Sequence, residues 1–192
     1  MAGRPRDREL EDRLLAAAWT LLVEQGYQAL SLSRVAARAG AHRTDVYRRW
    51  PGKPQLVSDT LAAHLPPLSD PDTGSLHSDL RAFLGDLAAA WSSPWVDGLV
   101  GWVVDLHREA GAEQAFRAMA IWRSEPLRHA IDHAVRRGEI GQPVDLVAVG
   151  NLLEGPLMHR RLFGRQDLRA EFLDAIAASA FYLLTTMEAA HA

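Results

Sequence analysis

Arg43, Thr44, Tyr47 and Arg48 recur at the three- and four-residue spacing that puts side chains on one face of a helix. That face carries guanidinium, hydroxyl and phenol groups, and a short helix presenting them can lie in the major groove of duplex DNA. Val46 and Trp50 point another way and can pack on neighbouring helices. By itself the arrangement is shared by many helical hairpins. The charge distribution leans in the same direction. Residues 1–55 carry ten Arg and Lys against six Asp and Glu, a balance of +4; the remaining 137 carry eleven against eighteen, a balance of −7, within a total of −3. Lys and Arg neutralise phosphate and supply most sequence-independent nucleic-acid affinity. An imbalance of this size also suits a plain solvated helical surface.

A second group of residues points to a different chemistry. Four of the six tryptophans, Trp91, Trp95, Trp102 and Trp122, fall in the later part of the chain with Phe83, Phe116, Met119 and Met158. Such an inventory either lines a pocket for a hydrophobic or aromatic molecule or fills a core. Glu154 interrupts the apolar run 146–158, so its carboxylate needs a partner: a cationic ligand, an Arg or a His. His129 and His133, spaced i, i+4, could face a metal together, but no third ligand is evident and the chain has no cysteine, so they read as solvated. There is no Gly-rich phosphate loop, no G-x-S-x-G elbow and no cysteine nucleophile. The expectation is a protein that is not an enzyme and needs no cofactor.

The elements that must hold these residues are helices. Residues 8–25 carry Leu10, Leu14, Ala17, Ala18, Leu21 and Leu22 on one stripe, ended by Gly26. Ser31 is placed to cap a two-turn helix over 32–39 with Leu32, Val35, Ala36 and Ala39 inward, and Gly40 stops it. A third helix spans 43–49, and Pro54 opens a fourth over 54–65. Residues 66–74 (PPLSDPDTG) read as a linker. Longer helical stretches follow at about 75–92, 94–109, 112–137, 144–163 and 167–189, with Pro126 and Pro156 expected to kink or interrupt two of them. No segment shows the alternation of a strand. The fold class expected is all-α: an N-terminal three-helix module, a connecting helix and a larger bundle, about nine helices in total.

Residues 13–57, RLLAAAWTLLVEQGYQALSLSRVAARAGAHRTDVYRRWPGKPQLV, resemble the DNA-binding domain of the TetR family of bacterial transcriptional regulators. The marks are Ala17-Ala18 and Glu24-x-Gly26-Tyr27, then Ser31-x-x-x-Val35-Ala36-x-x-Ala39-Gly40, and most specifically Tyr47-Arg48-Arg49-Trp50-Pro51-Gly52-Lys53-x-x-Leu56. The stretch Leu152-Leu153-x-Gly155-Pro156-Leu157-x-x-Arg160 also resembles part of some ligand-binding domains of the family. The resemblance implies that Arg43 and Thr44 open the recognition helix and reach base edges, where Arg can donate twice to guanine. It implies that Tyr47 and Lys53, with Ser31, Ser33 and Arg34 at the start of the second helix, contact phosphates. His42 and Arg48 join this candidate set. His42 stands where the family usually has Ser, so the cap there is weakened or the imidazole meets DNA. Asp45 stands where Thr is common, and its carboxylate near phosphates needs a cytosine or an Arg. Arg4 and Arg6 form an arm that either enters the minor groove or contributes only charge.

The resemblance further implies a C-terminal bundle that holds an effector and dimerises through its last two long helices. The candidate ligand-binding residues are Trp91, Trp95, Trp102, Phe116, Met119, Trp122, Glu154 and Met158. The candidate dimer stripe is Phe172, Ile176, Ala180, Leu183 and Met187, whose small neighbours suit close helix approach; burial within the monomer is its alternative. The division expected is 1–53 for the DNA-binding domain and its arm, 54–65 for the connecting helix, 66–74 for the linker and 75–192 for effector binding and dimerisation. The partners expected are a palindromic duplex operator, a small hydrophobic or aromatic effector and a second copy, with no membrane. The function expected is repression relieved by the effector; the alternatives are an architectural DNA binder without small-molecule control and, more remotely, a helical-bundle enzyme. The N-terminus has no apolar core of a secretory signal, no run is long enough to cross a bilayer, and the lack of cysteine suits a cytoplasmic protein.

Overall fold

The computed structural model describes residues 5–106, 110–141 and 144–186. Arg4 and Met187, and the side chains of Arg6, Met119 and Trp122, lie outside the described residues. Nine α-helices and no strand occur among them, so the fold is all-α. The helices are α1 (Pro5–Ala29), α2 (Leu32–Arg38), α3 (Arg43–Arg49), α4 (Lys53–His64), α5 (Leu76–Trp91), α6 (Val100–Leu106), α7 (Ala110–Arg137), α8 (Leu146–Met158) and α9 (Ala170–Thr186).

Local sequence explains most of the boundaries. Gly26 interrupts α1 with φ of 74°, a left-handed conformation that glycine adopts without a Cβ clash. Ser31 caps α2, its Oγ accepting from the Arg34 amide at 3.3 Å. Ser75 caps α5 in the same way, and Asp145 caps α8 by accepting from two amides. The stretch expected as one helix over 94–109 is instead a 3-10 turn, Pro94–Gly98, followed by α6. Proline and glycine bracket that turn, and both favour it over a continuous helix. At Pro126, by contrast, α7 runs on without interruption. Pro156 sits inside α8, and a π-helical turn, His159–Phe163, follows directly.

The chain forms two compact units. The first gathers the residues up to Leu65 with Pro94–Ala120; the second gathers Pro66–Ser93 with the residues from Ile121 onward. The segment expected as one C-terminal domain, 75–192, is thereby divided. Its part 94–120 joins the helix-turn-helix because Trp95, Val96, Leu99 and Trp102 are buried there, Trp95 lying 6.3 Å from the ring of Trp19 on α1. Leu14, Ala18, Leu22, Tyr27, Val35, Val46, Leu56 and Val57 are fully buried in that first unit.

The second unit is built on Leu76, Leu80 and Leu84 of α5, Leu127 and Ile131 of α7, Leu153 and Leu157 of α8, and Ala177 and Ala180 of α9. One carboxylate is buried beside this core. Asp79 is 0% exposed, accepts from the amide and hydroxyl of Thr73 at 2.7 Å each, and takes Nη2 of Arg137 at 2.8 Å. Burial pushes its carboxyl up, but the Thr73 and Arg137 donors outweigh this and hold it below the usual carboxylate value. Arg137 also reaches Glu139 at 2.6 Å and Asp72 at 3.1 Å. The two histidines read as solvated are drawn into the same region: His129 meets Asp70 at 2.9 Å and His133 lies 3.3 Å from Asp72. The linker is thus held to α7 by charge rather than left loose.

Candidate nucleic-acid interface

The turn between α2 and α3 passes through Gly40 at φ of 62° and aims α3 outward. On α3 the two faces divide as the spacing predicts. Val46 and Trp50 are buried, and Trp50 donates its indole N–H to Asp59 of α4 at 2.7 Å. His42, Arg43, Thr44, Tyr47 and Arg48 are exposed, Tyr47 at 55% despite its large ring. The helix is thus anchored by an indole and a valine on one side and presents hydrogen-bond donors to solvent on the other.

Several of the cations are already oriented. Arg43 donates through Nε to Ser33 Oγ at 2.9 Å, so two of the candidate residues are brought together across the turn. Arg34 donates to the carbonyl of Ala29 at 2.5 Å and also to Gln25, which holds it along the end of α1. Arg48 pairs with Asp45 at 3.2 Å. That pair answers the difficulty posed by Asp45: its carboxylate has an Arg partner one turn away on the same helix. His42 occupies the cap position of α3 and makes no side-chain cap bond. The His42 side chain is exposed.

Lys53 starts α4, where it donates to the carbonyl of Tyr27 at 2.9 Å and lies 3.8 Å from the centre of the Tyr27 ring. Tyr27, 0% exposed, donates its hydroxyl to Asp105 of α6 at 2.7 Å. Asp105 was not singled out from the sequence. It stands 78 residues from its partner, and no local spacing signals such a pair.

The candidate ligand-binding residues whose side chains are described divide between the two units. Trp95, Trp102 and Phe116 belong to the first unit, and Trp91, Glu154 and Met158 to the second. Trp102 is buried and packs edge-to-face with Phe116, ring centres 5.6 Å apart, and its indole N–H meets no acceptor among the described residues. In the second unit Glu154 accepts from the indole of Trp91 at 2.8 Å. Burial pushes the nearby Arg123 guanidinium down, against the opposing fields of Glu154 and Asp86. Glu154 thus has protein partners. A pocket of about 150 Å³ in this unit is lined by Pro67, Leu68, Arg123, Glu125 and Pro126, none of which belongs to the candidate ligand set.

The stripe read from the sequence divides between the two sides of α9, with Met187 outside the described residues. Ile176 and Ala180 are buried in the protomer's own core and Phe172 packs against it, because α9 lays this side on α5. Of that stripe, Leu183 is exposed. The outward side of α9 carries Ala175, Ala178, Ser179, Tyr182 and Leu183; that of α8 carries Val147, Ala148, Asn151, Gly155 and Met158. The exposed residues of α8 carry no charge, whereas Glu171 and Asp174 are also exposed on α9.

The fold and the exposed edge of α3 define a helix-turn-helix DNA-binding regulator. Residues 14–60 match the family described as "Bacterial regulatory proteins, tetR family", and residues 70–180 match "Tetracyclin repressor-like, C-terminal domain". The chain belongs to the TetR family of transcription regulators. It is 35% identical over 156 residues to a DNA-binding transcriptional repressor TetR of Mycobacteroides abscessus, covering 79% of this chain and 81% of that one. It is 32% identical over 185 residues to an HTH-type transcriptional regulator of Mycobacterium tuberculosis, covering 92% and 90%. Among solved structures, it is similar to the crystal structure of a TetR family transcription regulator at 26% identity and a TM-score of 0.75, covering 91% of this chain and 97% of the other. A TetR regulator from Rhodococcus sp. RHA1 shares the fold at 20% identity and a TM-score of 0.62, covering 95% and 98%. No helix among the described residues is long and apolar enough to cross a membrane.

Proposed function

We propose that this regulator is a repressor that binds a palindromic operator as a two-fold dimer and is released by a small hydrophobic or aromatic ligand. The observation that carries the DNA contact is the exposed edge of α3, with Arg43 held by Ser33 and backed by buried Val46 and Trp50. Arg43, Thr44 and His42 read base edges; Tyr47, Lys53, Ser31, Ser33 and Arg34 contact phosphates, and Arg48 exchanges Asp45 for phosphate. Base contacts set sequence and phosphate contacts set register and salt dependence. The outward faces of α8, which is uncharged, and of α9 around Ala178, Tyr182 and Leu183 are the dimer surface, in place of the inward stripe. A two-fold dimer sets its reading helices about 34–36 Å apart, or a multiple of this, and so demands an inverted repeat.

Ligand control is supported by the buried indole of Trp102, which meets no acceptor among the described residues. An unsatisfied buried donor costs roughly 1–3 kcal/mol, and an oxygen-bearing apolar ligand would satisfy it. Such a ligand changes DNA affinity only by binding the free and DNA-bound conformations differently. The test is selection of random duplexes by the purified protein beside Tyr47→Ala and Arg43→Ala. Enrichment of an inverted repeat, lost or relaxed in the variants, supports the DNA reading. An operator affinity unchanged by every molecule that binds the protein would overturn ligand control.

A further inference from the structure

Lys53 is reached by an uninterrupted set of contacts that begins outside the helix-turn-helix. Asp105 on α6 accepts from the hydroxyl of Tyr27 at 2.7 Å; the ring of Tyr27 lies under the Lys53 ammonium at 3.8 Å, and its carbonyl accepts from Nζ at 2.9 Å. Tyr27 is fully buried, so its ring has no solvent-facing alternative in which to rest. The seat on α6 is tight. One turn before Asp105, a methyl group at Gly101 would lie 3.2 Å from Cδ1 of Tyr27 and overlap the side chain of Gln28. Glycine at 101 and aspartate at 105 fall on one face of α6, which lets the helix close on the end of α1 and places the carboxylate at the phenol.

We propose that Asp105 is a positioning residue for the phosphate contact of Lys53, acting through Tyr27. The hydrogen bond fixes the tilt of the Tyr27 ring; the ring and carbonyl together fix where the Lys53 ammonium points. A carboxylate acceptor makes this bond stronger than a neutral pair would. Displacement of α6 relative to α1 would therefore be felt at a DNA-contacting cation without any change in α2 or α3. The proposal rests on the reading of Lys53 as a phosphate contact.

The test uses the full-length protein with two probes: the inverted-repeat duplex enriched in the selection above, and a duplex of unrelated sequence. Lys53→Ala removes one phosphate contact per protomer, so it should weaken binding to both duplexes by about tenfold and lower the slope of log K against log salt by roughly one per protomer. Asp105→Ala should reproduce the change in slope and most of the loss. Asp105→Asn keeps an oxygen acceptor for the Tyr27 hydroxyl and should restore most of the affinity. The double variant Lys53→Ala/Asp105→Ala should bind no more weakly than Lys53→Ala alone. Tyr27→Phe removes the same hydrogen bond with little change of shape, and takes the place of Asp105→Ala if that variant does not fold.

An Asp105→Ala protein with wild-type affinity and salt slope would overturn the proposal. So would an equal further loss when Asp105→Ala is added to Lys53→Ala, since that makes Asp105 a general support of the head. If Lys53→Ala itself binds as wild type while Arg43→Ala abolishes enrichment, the positioning role falls and the DNA-binding reading stands. A wild-type protein that retains neither duplex overturns both.

Discussion

Replacing Asp79 by Asn tests how the linker is fixed to the second unit. The carboxylate is fully buried and holds three donors: two from Thr73 at 2.7 Å and one from Arg137 at 2.8 Å. Asparagine preserves shape, and its oxygen can keep the Thr73 pair. Its amide nitrogen then faces the guanidinium, donor against donor. One charge-assisted hydrogen bond is lost, worth about 1.5–3 kcal/mol, and a desolvated donor is left poorly paired, at about 1–3 kcal/mol more. Arg137 keeps Glu139 and Asp72 and is 24% exposed, which places the total near the lower end, about 3 kcal/mol. For a chain of this length that is roughly 6–12 °C in Tm. The assay is calorimetry at one fixed protein concentration, because association alters Tm by mass action. The pH dependence has a definite sign. The Asp79 carboxyl sits below its usual value, so the stabilisation is complete above about pH 4 and is lost as pH falls through the lower folded-state value. The gap between wild type and Asp79→Asn should therefore hold steady from about pH 5 to 8 and close in stronger acid. A gap under about 2 °C at neutral pH, or one that widens with acid, would refute the reasoning.

Three other outcomes are expected. Ser31→Ala removes the cap of α2 and should cost about 1 kcal/mol, while Ser31→Gly should cost a few tenths, read by urea denaturation. Ser33→Ala releases Arg43 from its hydrogen bond and should relax base preference at one operator position, within the roughly 1–3 kcal/mol that a bidentate contact supplies, leaving the other positions as in wild type on repeated selection. Tyr182→Glu places a charge on the outward face of α9 and should yield a folded monomer in sedimentation, whereas Ile176→Glu should unfold the second unit; a dimeric Tyr182→Glu protein would remove that face from the interface.

Much of this architecture was legible because it is local. Capping serines, stop glycines and a 3.6-residue apolar period are short-range devices, and Ser31, Gly26 and Val46 behave as their spacing predicts. The two faces of α3 were legible for the same reason, since apolar and polar residues alternate cleanly there. On α9 they do not. Ala175, Ala178 and Leu183 outside are as apolar as Ile176 and Ala180 inside, so periodicity identified a helix and left its orientation open. The aromatic inventory was visible, but its division between two units depends on where their boundaries fall, before Pro94 and after Ala120 within α7. Pairs such as Tyr27 with Asp105 and Trp91 with Glu154 join residues far apart in the chain, and spacing carries no record of them.

The return of residues 94–120 to the first unit bears on how such a protein can be recombined. A graft that transplants a reading head by cutting after Leu65 would carry Tyr27 without Asp105 and Trp19 without Trp95. The phenol would then be buried beside a foreign helix, and a new operator preference would arrive with a loosened scaffold. The interchangeable cassette is discontinuous: its second half is the segment from Pro94 to Ala120, and chimaeras that exchange both halves together should keep the head intact. Lineages that trade DNA specificity by crossover would, on the same grounds, need two coordinated breakpoints or compensating substitutions at Gly101 and Asp105.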